Sequence, residues 1–146
     1  FDKRFFAHME EIDLCWRGFN KGFDCYSVTS SKVFHLGAAT IKKNSKKTYL
    51  NYRNSLIMMT KNLPLKNLLS TLFIRLILDL VSSIRFLVKG EISSFTALYR
   101  AHFNYFKILR LLLKERDNTS KKSNYFKINS IVYKYFILGK KKFFQL

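Results

Sequence analysis

Between Met9 and Lys21 the apolar residues Ile12, Cys15, Trp16 and Phe19 recur at the spacing of one helical face, with Asp13 and Arg17 four apart on another side. Gly22 predicts the stop of that helix. Two short runs follow, Cys25–Thr29 and Lys32–Leu36, separated by Ser30 and Ser31. Alternation of Val33 and His35 against Phe34 predicts extended strands there. "HLGAAT" then reads as a small-residue loop that lets backbone approach another strand or a ligand.

Beyond the basic stretch "IKKNSKK" the period changes and the chain reads as helical. Helices are predicted over Thr48–Asn62, over Leu65–Lys89 after Pro64 and up to Gly90, and over Glu91–Arg116. The last of these carries Phe95, Leu98, His102, Phe106, Leu109 and Leu113 along one face. "DNTSKKSN" is a polar linker, and Tyr125–Leu138 a final helix. None of these segments offers the about 20 uninterrupted apolar residues of a membrane span, because Arg75, Asp79 and Arg85 break the most apolar one. Their amphipathic patterns fit two arrangements equally: packing together as a bundle, or lying in a bilayer interface.

Charge sharpens this picture. Of 27 Lys and Arg, only Lys3, Arg4, Arg17 and Lys21 fall in residues 1–31, against Asp2, Glu10, Glu11, Asp13 and Asp24. The remaining 23 face four acids in residues 32–146. A slightly acidic head therefore joins a very basic body, as suits a site followed by a surface that meets phosphate. An AT-rich genome, which favours Lys, Phe, Ile, Asn and Tyr, is the plainer source of the same bias. An apolar fraction of 48% excludes a disordered chain despite the net charge of +18. Cys15 and Cys25 form neither a disulfide framework nor a CxxC pair, which fits a reducing compartment. With His8 and His35 they match no zinc spacing.

The chemistry concentrates in "HMEEIDLCWR", where Glu10, Glu11 and Asp13 lie within four positions. Carboxylates this close raise one another's affinity for protons, which suits a general base. They equally suit the acidic first turn of a helix, where the macrodipole stabilises them. Asp13 has a ready partner in Arg17. In "YLNYRN", Arg53 suits bidentate contact with phosphate oxygens, with Lys46 and Lys47 close by, or else the anchoring of its own helix. His35 reads as a metal ligand or as a hydrogen-bonded strand end. Trp16, on the apolar face, reads as core.

Three blocks, "FDKRFFAHMEEIDLCWRGFNKGF", "VFHLGAAT" and "KTYLNYRNSLIMMTKNLP", together resemble the family 2 glycosyltransferases, specifically bacterial enzymes similar to rhamnosyltransferases. The likeness covers residues 1–64, and "SIVYKYFILGKKKF" resembles the end of such enzymes. It implies an α/β fragment: the C-terminal part of a GT-A Rossmann-like sandwich followed by a mostly α-helical amphipathic tail. On that basis residues 1–45 end the catalytic domain, 46–116 form long amphipathic helices, and 117–146 a basic linker and last helix. The half carrying the nucleotide pocket and an Asp-x-Asp motif is expected to precede Phe1, and the fragment alone is expected to be inactive.

The resemblance also implies an inverting transfer from a nucleotide-sugar donor to a glycan or isoprenoid-diphosphate-linked acceptor, in cell-surface polysaccharide synthesis. The family's usual Glu-Asp pair reads Glu10-Glu11 here, which makes Glu11 the base by position, with Glu10 and Asp13 beside it. His35 matches a metal-ligating histidine, so Mn²⁺ or Mg²⁺ is expected, and Arg53 and Arg17 are expected to meet phosphate or acceptor. Ala38 stands where a second glycine is common. Such an enzyme would sit on the cytoplasmic face of the membrane, against anionic lipid. A basic helical protein that binds nucleic acid or a membrane surface without catalysis, or a purely structural bundle, is the alternative. No RNA- or DNA-recognition motif supports the nucleic-acid version, and no nucleic acid is expected as partner.

Overall fold

The computed structural model describes residues 1–34, 45–116 and 130–142. Within them the chain forms α1 (Glu10–Asn20), α2 (Ser45–Asn62), α3 (Leu65–Val88), α4 (Ile92–Lys114) and α5 (Ile131–Phe136). The predicted stops hold. Gly22 and Gly90 both adopt left-handed backbone, φ 89° and 69°. Each closes its helix with a paired set of bonds, Phe23 N–H to Gly18 O and Gly22 N–H to Phe19 O, then Glu91 N–H to Phe86 O and Gly90 N–H to Leu87 O.

The expected α/β sandwich is not there. No strand occurs among the described residues, and the expected strands at Cys25–Thr29 and Lys32–Leu36 are irregular as far as residue 34. Two short runs need a third strand or an apolar face to pack on. Tyr26, Val28, Val33 and Phe34 have neither and stand exposed. His35 and the rest of the "HLGAAT" loop lie outside the described residues, as do residues 125–129 of the expected last helix; Ser130 is extended and caps a shorter helix, Ile131–Phe136.

The helices pack instead as a bundle. The main seam joins α2 to α4, with Leu56, Ile57, Met58, Tyr105 and Leu112 around Phe5 in one buried cluster. Tyr49 meets Asn104 near the start of α2, and Thr60 and Leu63 near its end accept hydrogen bonds from Arg116, so α2 and α4 run in the same direction. On α3, Asp79 meets His102 and Ser83 approaches Tyr99, so it runs antiparallel to α4.

Two predicted faces are turned. On α4 the buried residues are Ala97, Leu98, Ala101, Tyr105 and Leu112, whereas Phe106 and Leu113 are exposed. Two faces of this helix are comparably apolar. The one that faces inward has the small Ala97 and Ala101, and a tyrosine whose hydroxyl bonds Thr60 at 2.7 Å in the interior. On α1 the wholly inward residues are Asp13 and Asn20, while Ile12 and Cys15 face solvent. That helix docks through polar groups. Asn20 Nδ2 donates to Asn62 O at 3.0 Å, and Asn62 Nδ2 donates to Asp13 Oδ1 at 2.8 Å.

Candidate functional site: an acidic turn and a cationic cleft

The segment before α1 is bent hard. Phe6, His8 and Met9 all have positive φ, 59°, 68° and 72°. For residues with a Cβ such backbone is costly, about 1–2 kcal/mol each. It persists because Asn54, buried in the middle of α2, spreads its Nδ2 over the carbonyls of Phe5, Ala7 and His8 at 2.8–2.9 Å. Arg53 adds a bond to the Arg4 carbonyl at 2.6 Å. The third sequence block thus holds the first in shape.

That strained turn delivers the acids, and their surroundings differ. Glu11 is exposed. Glu10 is half-buried, and its Oε2 is shielded from solvent with no hydrogen-bond partner among the described residues. Asp13 is fully buried and saturated. It takes Arg17 Nε at 2.9 Å, Asn62 at 2.8 Å and Lys61 at 3.3 Å. Arg17 is therefore tied to Asp13 and does not line the cleft described next. Asp2 shares Lys61 at 2.7 Å and pairs with Arg4 at 2.7 Å. Partial burial raises its carboxyl, but the bonds from Arg4 and Lys61 outweigh that and hold it far below the usual carboxylate range.

At the other end of α2 a cleft of about 570 Å³ opens, lined by Arg4, Lys46, Arg53 and Arg100 among Phe6, Tyr49 and the hydroxyls of Ser45, Ser93 and Thr96. Lys46 and Arg53 of α2 and Arg100 of α4 converge on it, whereas the Arg4 guanidinium is taken up by Asp2 and by Glu115 at the end of α4. Because α2 and α4 are parallel, the starts of both helices face the same space, and their dipoles add to its positive character. Arg53 is fixed by Asn54 Oδ1 at 3.0 Å and the Tyr49 hydroxyl at 3.2 Å, and Tyr49 is in turn held by Asn104 at 2.8 Å. The Arg100 guanidinium lies 6.0 Å from the Tyr49 ring, at the outer limit of a cation–π approach. A pocket this size with several convergent cations suits a small polyanion.

Of the residues singled out in the sequence, Arg53 and Lys46 reach this cleft; Glu10, Glu11 and Asp13 stand on the turn at the head of α1. Arg4, Tyr49, Asn54 and Arg100 went unnoticed. Asn54 had a signal, since an asparagine inside a helix competes with the backbone for hydrogen bonds unless its side chain is used elsewhere. Among the described residues no three His, Cys, Asp or Glu side chains gather as a metal site, so a donor set for the expected divalent ion is not assembled there. Cys15 and Cys25 are free thiols, with Cys25 Sγ 3.8 Å from the Cys15 carbonyl.

Fold and site together define a small helical unit with a strained acidic turn and an open cationic cleft. Comparison of the chain with protein families, with curated proteins and with solved structures returned no match.

Proposed function

We propose that this chain serves an inverting glycosyl transfer, supplying the base for the acceptor and cations for phosphate. The observation that carries the reading is Asn54. Two of the three blocks that resemble glycosyltransferases, far apart in sequence, are bonded to each other through it, and it shapes the turn that presents Glu11.

In this mechanism the Glu11 carboxylate accepts the proton of an acceptor sugar hydroxyl as that oxygen attacks the anomeric carbon. The bond from that carbon to the donor's diphosphate breaks on the opposite face, and the diphosphate leaves with the electron pair. Negative charge grows on the departing oxygens, where guanidinium groups held in place before the reaction stabilise it. Arg53, bonded to the Arg4 carbonyl and to Asn54, is the guanidinium held beside this turn and the candidate for that role. Glu10, with its shielded and unpartnered oxygen, is the neighbouring carboxylate. Positioned proton transfer of this kind contributes about 10²–10⁴-fold in rate.

The test is a transfer assay on the enzyme expressed from the complete reading frame, comparing Glu11→Gln with wild type. Gln keeps the shape and removes the proton acceptor. The expected result is a fall in kcat of at least about 100-fold with little change in the KM for donor. Unchanged turnover would remove Glu11 from the mechanism.

A further inference from the structure

The face of α3 turned away from the bundle is apolar for the helix's whole length. Leu65, Leu69, Phe73, Ile77, Leu80, Val81, Ile84 and Val88 are all exposed along it, spaced as one broad helical arc. Only Leu68, Asp79 and Ser83 are buried on the opposite side. A 24-residue helix is about 36 Å long, and a continuous apolar strip of that length is the kind of patch that marks an interaction surface.

The exposed charges on the helix and its caps are cationic, with Glu91 just past its end the one exposed acid. Lys66 lies at its start and Arg85 and Lys89 at its end, all exposed, while the helix's one acid, Asp79, is turned inward against Arg75 and His102. The neighbouring helix adds exposed Lys107, Arg110 and Lys114. Apolar side chains in the middle with Lys and Arg at the margins is the pattern of a helix lying in a membrane interface, its stripe among the acyl chains and its cations at the lipid phosphates. No described helix is long and apolar enough to cross a membrane, which leaves lying on the surface as the membrane geometry open to α3. A second copy of this chain is a poor occupant, since each copy carries +18 and would set like charges against like.

We infer that the outer face of α3 is a docking surface for an anionic lipid bilayer, with the helix in the plane of the headgroups. The inference rests on the α3 face and the cations beside it and does not depend on the transfer chemistry.

Sedimentation of the 146-residue chain with vesicles tests it, using phosphatidylcholine alone or mixed with phosphatidylglycerol. Binding is expected to the mixed vesicles and to fall as salt rises. The pair Ile77→Asp with Ile84→Asp, both at exposed positions, should weaken that binding by at least about tenfold with the helical circular dichroism unchanged. Lys66→Gln with Arg85→Gln and Lys89→Gln should weaken it without touching the apolar strip. Wild-type affinity in the Ile77/Ile84 variant overturns the inference. So does equal binding to neutral vesicles, which would leave the cations without a role. A dimer of the wild-type chain on gel filtration that the same aspartates dissolve would assign the face to a second copy and also overturn it.

Discussion

The two ends of α2 are both crowded with charge, and they are built for opposite purposes. At the C-terminal end the charges are closed in, with only the Arg116 Nε lacking a hydrogen-bond partner among the described residues. Asp13 is buried among Arg17, Asn62 and Lys61, Lys61 also holds Asp2, and Arg116 is buried and donates to the Thr60 and Leu63 carbonyls that end the helix. Burial pushes the Arg116 guanidinium below its ordinary value. At the N-terminal end Lys46, Arg53 and Arg100 line an open cleft with no carboxylate among the lining residues; Arg4, which borders it, is already paired with Asp2 and Glu115. Charge that is buried and saturated holds a structure together. Charge that is fixed from behind and open in front is placed to receive something.

The largest effect should come from breaking the closed end. Asp13→Ala removes the carboxylate that Arg17, Asn62 and Lys61 converge on and leaves their N–H groups without their buried acceptor. Removing one member of such a cluster costs about 3–5 kcal/mol. Urea unfolding followed by circular dichroism should show that loss, with α1 detaching first. A loss below about 1 kcal/mol would mean that α1 is held by Trp16 and Met9 packing instead, and the contrast between the two ends would fail.

A smaller loss is expected between the ends, in the α2–α4 seam. Tyr105→Phe removes the hydroxyl bonded to Thr60 in the interior while keeping the ring. The expected cost is about 1–2 kcal/mol, from a buried Thr60 hydroxyl left with one partner fewer. Thermal unfolding of this single variant measures it. Both ends of α2 should keep their local structure, because neither depends on that hydroxyl.

How much of this was legible in the sequence follows from the range of each interaction. Helix positions and their glycine stops were, because periodicity and left-handed turns are local properties of the chain. The inward faces of α1 and α4 were not. Apolar spacing puts Ile12 and Cys15 inside, but what decides α1 is the polar carbonyl-and-amide end of α2, forty-odd residues further on. On α4 periodicity ranks Phe106 above Ala101, and only the close approach of α2 favours the smaller side chain. The strands failed for the same reason in reverse: alternation over ten residues says what a segment would do given a partner, and none of the described residues supplies one. The acidic turn was legible as a cluster of carboxylates, yet its shape was not, since the clamp is Asn54. Arg4 and Arg100 carry no local mark of the cleft they share.

At the open end the comparison can be sharpened by a change that leaves stability alone. Arg100→Gln alters an exposed side chain held against Tyr49, so unfolding should shift by no more than about 0.5 kcal/mol. Calorimetric titration with inorganic pyrophosphate should nevertheless show about a tenfold loss of affinity, the worth of one charge-assisted guanidinium contact. If the variant binds as wild type does, the cleft's cations serve the fold, and the two ends of α2 are alike after all.

A third charged group lies between these extremes and turns on pH. Asp79, buried on α3, takes Arg75 Nε at 2.7 Å and His102 Nε2 at 3.1 Å, while His102 Nδ1 stands 2.9 Å from the Leu98 carbonyl. Both ring nitrogens thus face acceptors, which favours the imidazolium. Burial lowers the His102 value and Arg75 opposes its charge, but the bonds to Asp79 and the Leu98 carbonyl prevail and raise it above its ordinary 6.5. A group whose affinity for a proton is higher folded than unfolded stabilises the fold fully below about pH 6.5, and that contribution fades as pH climbs through the raised value. Wild-type stability should therefore decline over the interval above pH 6.5, and His102→Gln should remove that slope while keeping a donor for Asp79. The effect is expected to be the smallest of the four, because Arg75 stays paired with Asp79 throughout. An unfolding midpoint with the same pH slope in both proteins would assign that slope to groups other than His102.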